Sequence, residues 1–216
     1  MSNFDENAYY TLMKKAYIDF DDVLCKTAEA IVGIVKDRYG IKRDFDNITD
    51  FNLQKSFDLT DQQFTDLISL IHDVQIIYDM TPIEGALDSV RQLKDKGYEI
   101  AIMTGRPPST KDASIKWLND YQVPYDSLAF VDKYARFDCD QYGHDGMTLE
   151  ELTKQKFSFA IEDSATMATF LSTEMNLPVF LHDRPWNRHL ETNSLIMRCM
   201  DWGEIMGEIE DLRLKI

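Results

Sequence analysis

The stretch Ala16–Leu24, AYIDFDDVL, changes from an apolar run to a cluster of acids within a few residues. Ala16–Ile18 has the length and character of a buried strand in a parallel sheet. Asp19, Asp21 and Asp22 then follow its carboxyl end, where open α/β sheets bind ligands. Because crowded carboxylates repel one another unless a cation offsets their charge, the stretch predicts a divalent-metal site. The alternative from this stretch alone is an acidic turn that caps the next helix.

The composition excludes several classes of protein. The 216 residues are 44% hydrophobic and 28% charged, which is typical of one packed domain with room for a modest insertion. The net charge of −15 argues against nucleic acid or an anionic lipid surface as a partner. No apolar stretch approaches the ~20 residues of a membrane span, and the N-terminus lacks the pattern of a signal peptide. Three widely spaced cysteines form no disulfide or zinc pattern, so we expect a cytoplasmic protein.

Hydrophobic periodicity predicts two kinds of segment. After the first strand, Thr27–Tyr39 has helical spacing, and Thr60 with Gln63 forms a capping-box pattern before another apolar helix face. In the rest of the chain, helices alternate with short apolar strands, which predicts a parallel sheet covered on both faces. We therefore predict an α/β fold, a Rossmann-like parallel sheet with helices on both faces and a small helical cap inserted after the first strand. The predicted units are a core of residues 1–25 and 80–216 and a cap of residues 26–79.

Polar groups follow four of the predicted strands. Carboxyl ends of parallel strands share one edge of the sheet, so we expect these groups to meet there. A carboxylate cluster, one hydroxyl beside a glycine, and one lysine suit phosphoryl transfer. Val179–Leu181 is predicted as the last strand, and Tyr134–Met147 as a polar loop. The groups are Asp19, Asp21 and Asp22, then Thr104, Gly105 and Arg106, then Lys133, and finally Glu162 and Asp163.

Several motifs resemble a known family. DFDDV resembles the DxDx(T/V) first motif of the haloacid dehalogenase superfamily of phosphatases, IAIMTG its second motif, and FAIEDS its acidic fourth motif. Further stretches are similar to the 5′(3′)-deoxyribonucleotidases and their bacterial relatives within that superfamily. These stretches are YDMTPIEGALDSVRQL, MTGRP, WLNDYQVPYDSLAFVDK and DRPWNR, and with the motifs they cover most of residues 16–205.

The resemblance implies a role for each matched residue. Asp19 would be the nucleophile that becomes an aspartyl phosphate, and also a magnesium ligand. Asp21 would protonate the leaving alkoxide and then activate water, and its backbone carbonyl would also bind Mg²⁺. Thr104 would hydrogen-bond the transferred phosphoryl group beside the Gly105 N–H. Asp163 would complete the metal site, with Glu162 as an indirect partner.

Two departures from the family pattern stay open at this point. The family commonly has Gly where this chain has Asp22, which makes the turn less permissive. The lysine of the third motif is predicted to be Lys133, although Lys154 and Lys156 lie nearer in sequence to the fourth motif.

The residues that would bind substrate are also predicted. Gly105, Arg106 and Phe20 are expected to contact it, and DRPWNR either supports the site or only packs. Aromatic residues can stack on a nucleobase, although packing in the core is an equal alternative for these. The candidates for stacking are Phe20, Phe45, Phe51 and Phe57.

We therefore expect a magnesium-dependent phosphomonoesterase with an aspartyl-phosphate intermediate. The favoured substrate is a (deoxy)nucleoside 5′-monophosphate, and the partner is thus a small phosphorylated metabolite rather than nucleic acid or membrane. The alternatives are a phosphatase of sugar phosphates or other small metabolites, and a catalytically weak regulatory protein with the same fold. Asp19 and Asp21 are both present, which argues against the weak regulator. A homodimer is left open.

Overall fold

One parallel sheet organises the chain. The computed structural model describes residues 14–139 and 146–215, so residues 1–13 of the predicted core and the middle of the predicted loop lie outside it. The described part contains seven strands in the order β4-β3-β2-β1-β5-β6-β7, all paired in parallel. The strands are β1 Lys15–Asp19, β2 Glu99–Thr104, β3 Ser127–Val131, β4 Gly146–Met147, β5 Phe159–Glu162, β6 Val179–His182 and β7 Ile196–Cys199.

The strand β1 lies at the centre of this sheet. Ile18 is in register with Ile102 on β2 and with Ile161 on β5. Alternate side chains of β1 enter different apolar clusters, since Ile18 packs on one face of the sheet and Tyr17 on the other, and neither has any exposed surface. Both faces are covered, as a parallel sheet requires, and the predicted α/β fold class is confirmed.

Helices connect the strands and fill the segment after β1. The capping box of Thr60 and Gln63 is present, with each side chain accepting from the backbone N–H of the other residue. Between Cys25 and Asp79, which the structure describes completely, the regular elements are helical. In the described residues, the α-helices are α1 Thr27–Tyr39, α2 Leu53–Ser56, α3 Asp61–Ile71, α4 Val74–Asp79, α5 Ala86–Asp95, α6 Lys111–Asp120, α7 Leu149–Thr153, α8 Ala165–Glu174 and α9 Trp202–Lys215.

Two strands were not predicted from the sequence. Gly146–Met147, at the end of the predicted loop, pairs with Phe130 and Val131 as β4. The prediction that Val179–Leu181 is the last strand is wrong, because Ile196–Cys199 adds β7 beside β6. Both strands are short and lack a clear alternating pattern, so pairing with a neighbouring strand defines them rather than local propensity.

None of the helices in residues 14–139 and 146–215 has the length and apolar character needed to cross a membrane. The carboxyl ends of β1, β2, β3 and β5 lie side by side at one edge of the sheet, which we call the carboxyl edge. The helical segment, residues 26–79, leaves and re-enters the sheet at this edge, where Cys25 bridges Pro82. The fold therefore brings the polar strand ends and the helical segment to the same place.

Candidate active site

A buried lysine joins two strand ends at the carboxyl edge. Asp19 ends β1, Glu162 ends β5, and Lys133 follows β3. The Lys133 Nζ donates to Asp19 Oδ1 at 2.6 Å and to Glu162 Oε1 at 2.7 Å. None of the three residues is more than 5% exposed. By contrast, Lys154 forms an exposed ion pair with Glu150, so Lys133 is the lysine that the fold brings to the acids.

Three carboxylates lie close enough together to hold a metal ion. One oxygen from each of Asp19, Glu162 and Asp163 lies within 4.8 Å of the others. Burial and the charge of Glu162 raise the pKa of Asp19 to about 8, against the opposing charge of Lys133. The same two causes raise the pKa of Asp163 well above its usual range. The three carboxylates offer hard oxygen ligands that lie close together, and Lys133 offsets only part of their negative charge. Such a site fits a small divalent cation such as Mg²⁺.

Glu162 differs from the other two acids because its oxygens are already engaged. Its Oε1 accepts from Lys133 and from the Tyr17 hydroxyl at 3.2 Å. Its Oε2 accepts from the backbone N–H groups of Asp163 and Ser164, at 2.8 and 2.9 Å. Glu162 therefore orients the loop that carries Asp163 and is less available to a cation.

Asp21 is held by a guanidinium. Arg106 donates from Nε to both Asp21 oxygens at 3.1 Å and from Nη2 to Oδ1 at 2.7 Å, and the Thr27 hydroxyl donates at 2.5 Å. Burial raises the pKa of Asp21, but the charge and hydrogen bonds of Arg106 outweigh it and leave the pKa below its usual value. The Thr104 hydroxyl lies 3.4 Å from the same carboxylate and has no exposed surface. Asp21 is thus a carboxylate anion in this state.

Phe20 lies beneath this ion pair and does not face the cavity. Its ring is fully buried, 4.3 Å from the Arg106 guanidinium and 5.1 Å from the Trp117 ring. A ring with no exposed surface cannot stack on a substrate, so the predicted substrate contact of Phe20 is replaced by a cation–π contact. Arg106 itself is 4% exposed and lines the cavity described below.

Gly105 permits a close approach of two neighbouring strand ends. A Cβ atom at this position would lie 3.2 Å from Tyr134 Cε2 and 3.4 Å from Lys133 Cδ. A side chain here would therefore press on the residues that follow β3. Packing around Lys133 therefore explains why a glycine stands between Thr104 and Arg106.

Asp22 occupies a left-handed turn and caps a helix. Its φ of +53° lies in the region that favours glycine, as expected for a position where the family commonly has Gly. Both of its carboxylate oxygens accept from the Ala28 backbone N–H at 3.1 Å, at the start of α1. Burial raises the pKa of Asp22 to about 7. The third acid of the opening stretch therefore caps the first turn of the helix that follows it.

The stretch DRPWNR fixes the backbone around the acids. Arg184 donates to the Asp22 carbonyl from Nε and Nη2, at 3.1 and 2.9 Å. The Trp186 indole N–H donates to Asp163 Oδ2 at 2.8 Å, and Asn187 donates to the Asp163 carbonyl at 2.7 Å. Of the two roles left open for this stretch, the contacts show support of the site together with packing.

A cavity of about 120 Å³ lies between the carboxyl edge and the helical segment. Its polar wall includes Asp19, Arg106 and Lys133, and its apolar wall includes Ile31 and Phe51. Of the other aromatic candidates, Phe57 is buried within the helical segment and Phe45 packs against Trp186. Phe51 is therefore the predicted aromatic residue that the structure leaves facing a ligand-sized space.

The cavity residues that were not predicted include Tyr134, Arg136 and His72. Tyr134 packs its ring 5.1 Å from that of Phe51, and the Arg136 guanidinium lies 4.6 Å from the Tyr134 ring. His72 lines the cavity from the end of α3, and burial lowers its pKa. Tyr134 and Arg136 lie one and three residues after Lys133, and this closeness in sequence was the available signal, whereas His72 shows no ligand spacing.

The fold and the site together define a phosphatase of the haloacid dehalogenase superfamily. The chain belongs to the family described as 5′ nucleotidase, deoxy (pyrimidine), cytosolic type C protein, whose profile matches residues 14–215. The resemblance stated from the sequence motifs is therefore confirmed.

Relatives support the family and the fold. The protein named "Putative nucleotidase BH1399" of Halalkalibacterium halodurans is 22% identical over 166 residues, which are 77% of each chain. Haloacid dehalogenase-like hydrolase SP0104 of Streptococcus pneumoniae has a TM-score of 0.62 at 15% identity, covering 91% of this chain and 98% of its own. A family hydrolase of Deinococcus radiodurans, solved with phosphate and sodium bound, has a TM-score of 0.58 at 16% identity, covering 94% and 97%.

Proposed function

We propose that this protein is a magnesium-dependent phosphomonoesterase that works through an aspartyl phosphate on Asp19. The observation that carries the proposal is the contact of Lys133 with both Asp19 and Glu162, beside Asp163. Lys133, together with a cation held by the carboxylates that line the cavity, would bind a phosphate dianion. Asp19, the Asp21 carbonyl and Asp163 would hold the ion. When bound, Mg²⁺ would supply charge that neutralises phosphate oxygens and orients the ester.

In the first step, a carboxylate oxygen of Asp19 attacks phosphorus. The bond from phosphorus to the leaving oxygen breaks as the acyl-phosphate bond forms, and Asp21 gives a proton to the leaving oxygen. Lys133 offsets negative charge on Asp19 and on the phosphoryl group. The Thr104 hydroxyl and the Gly105 N–H orient the phosphoryl oxygens.

In the second step, water attacks phosphorus and Asp21 takes its proton. The acyl-phosphate bond breaks, phosphate leaves, and the Asp19 carboxylate is restored. The lowered pKa of Asp21 leaves its carboxyl deprotonated, which is the form that can accept this proton. For the first step Asp21 needs a proton, and the charge of an arriving phosphate dianion favours its uptake because it raises the pKa of the neighbouring carboxyl.

The helical segment, residues 26–79, would act as a cap that selects the leaving group and excludes water. The support is its contribution of Ile31, Ile48 and Phe51 to the cavity wall. A (deoxy)nucleoside 5′-monophosphate is the favoured substrate, because the aromatic ring of Phe51 can stack on a base. The chain's charge of −15 argues against nucleic acid or an anionic lipid surface as the partner, which leaves a small phosphorylated metabolite of the cytoplasm as the proposed substrate.

The test is a phosphate-release screen across nucleoside monophosphates, sugar phosphates and an aryl phosphate. We expect release to need Mg²⁺, to stop on chelation and to return when Mg²⁺ is added back. A preference for nucleotides that Phe51→Ala weakens, with a rise in KM, would support the base contact. Turnover that persists after chelation would contradict the proposal, and a preference for sugar phosphates would favour the alternative substrate class.

A further inference from the structure

One side of the Trp186 side chain packs against the helical segment, residues 26–79. Its ring is 4% exposed and meets the Phe45 ring at 5.7 Å, nearly edge to face. It is the one residue from outside residues 26–79 that is buried in the apolar cluster of this segment, among the described residues. The other buried members of that cluster are Ala28, Ile31, Val35, Ile48, Phe57, Leu59 and Leu67.

On the other side, the same side chain contacts the acid cluster. The indole N–H donates to Asp163 Oδ2 at 2.8 Å, while Asn187 holds the Asp163 backbone carbonyl. A hydrogen bond from a buried donor to a carboxylate is among the stronger ones and fixes the plane of the carboxylate. It leaves Asp163 Oδ1 for a cation, because no donor in the described part of the chain bonds that atom.

We propose that Trp186 is a positioning residue that couples the seating of the helical segment to the affinity of the acid cluster for Mg²⁺. The segment packs against the Trp186 ring and fixes its orientation, and this orientation directs the indole N–H toward Asp163. When the segment shifts, the indole shifts with it and the carboxylate loses its fixed orientation. Coupling of this kind is reciprocal, so Mg²⁺ in turn favours the seated segment. The inference rests on the proposed function, since it takes Asp163 as a metal ligand.

The test uses Trp186→Phe, which keeps an apolar six-membered ring and removes the N–H donor together with the five-membered ring that carries it. We expect its Kd for Mg²⁺, from calorimetric titration of the full chain, to rise by about tenfold or more. The Mg²⁺ concentration for half-maximal phosphate release should rise in parallel, and excess Mg²⁺ should restore much of the lost activity. The matched control is Trp202→Phe, which also removes a buried indole N–H, here one that donates to the Val23 carbonyl at 2.9 Å.

A double-mutant cycle tests the coupling itself. Phe45→Ala loosens the ring contact, and we expect it to weaken Mg²⁺ binding severalfold in the wild-type background and negligibly in Trp186→Phe. Hydrogen exchange of α1 and α3 should slow when Mg²⁺ is added to the wild type, and slow less in Trp186→Phe.

The outcomes separate this inference from the proposed function. An unchanged Kd in Trp186→Phe, a rise of the same size in Trp202→Phe, or equal effects of Phe45→Ala in both backgrounds would overturn the coupling. Wild-type protein that releases phosphate without Mg²⁺ would instead overturn the proposed function.

Discussion

Replacement of Lys133 by Met tests the centre of the site, because Met keeps the apolar stem and removes the charge. The Lys133 Nζ lies 2.6 Å from Asp19 and 2.7 Å from Glu162, and all three residues are buried. Breaking a buried ion pair by removing one partner costs about 3–5 kcal/mol. For a chain of this size, that loss lowers the Tm by roughly 6–20 °C.

The cost should depend on pH. Without Lys133, Asp19 relieves the buried negative charge by taking up a proton, which it does more readily in acid. Because wild-type Asp19, with a pKa of about 8, becomes an anion only near and above that pH, the loss of unfolding free energy should be larger at pH 9 than at pH 6. Urea unfolding followed by circular dichroism at both pH values measures it, and phosphate release should fall on the order of 10²–10³-fold because a charge that stabilises the transition state is gone.

Lys154→Met is the matched control, since Lys154 forms an exposed i,i+4 pair with Glu150. Such a pair contributes no more than about 0.5 kcal/mol, so we expect near wild-type stability and activity. Lys156 is also exposed and serves as a second control. The reasoning is refuted if Lys133→Met loses less than about 1 kcal/mol, or if either control loses more activity than Lys133→Met does.

Three further predictions follow from the same contacts. Asp19→Asn should fold normally by circular dichroism and lose at least about 10³-fold in phosphate release, because an amide is a poor nucleophile; wild-type turnover would exclude the covalent step. Asp22→Asn keeps an acceptor for the Ala28 N–H and removes a carboxyl whose pKa is raised to about 7. The folded wild type keeps that proton between about pH 4 and 7 while the unfolded chain loses it, so wild-type stability falls with rising pH in this window. The variant should therefore gain more than about 1 kcal/mol relative to wild type between pH 4.5 and pH 8, since each pKa unit is worth about 1.4 kcal/mol; a constant difference in urea unfolding would contradict this. Gly105→Ala should displace the Tyr134 ring, whose Cε2 atom lies 3.2 Å from the added methyl group. We expect KM to rise, with only a small fall in Tm. A KM equal to that of wild type would show that the close approach has no role in binding.

Local patterns in the sequence were enough to place the main elements of the core. The apolar run before Asp19, the capping box of Thr60 and Gln63 and the alternation of strands with helices all act over a few residues, so they can be interpreted without the fold. The same locality explains the missed strands β4 and β7, whose pairing depends on neighbours distant in sequence.

The acids of the stretch Ala16–Leu24 also separate what local sequence predicts from what depends on tertiary contacts. The sequence by itself determined that carboxylates, a hydroxyl, a glycine and a lysine follow parallel strands, and hence that they meet at one edge. Only the tertiary structure decided their partners, with Lys133 on Asp19, Arg106 on Asp21, Ala28 on Asp22 and Trp186 on Asp163. The physical reason is the sequence distance over which each kind of interaction acts. Hydrophobic patterns that repeat every two to four residues indicate where strands and helices end. Ion pairs and hydrogen bonds at the carboxyl edge instead depend on the packing of side chains from elements distant in the sequence.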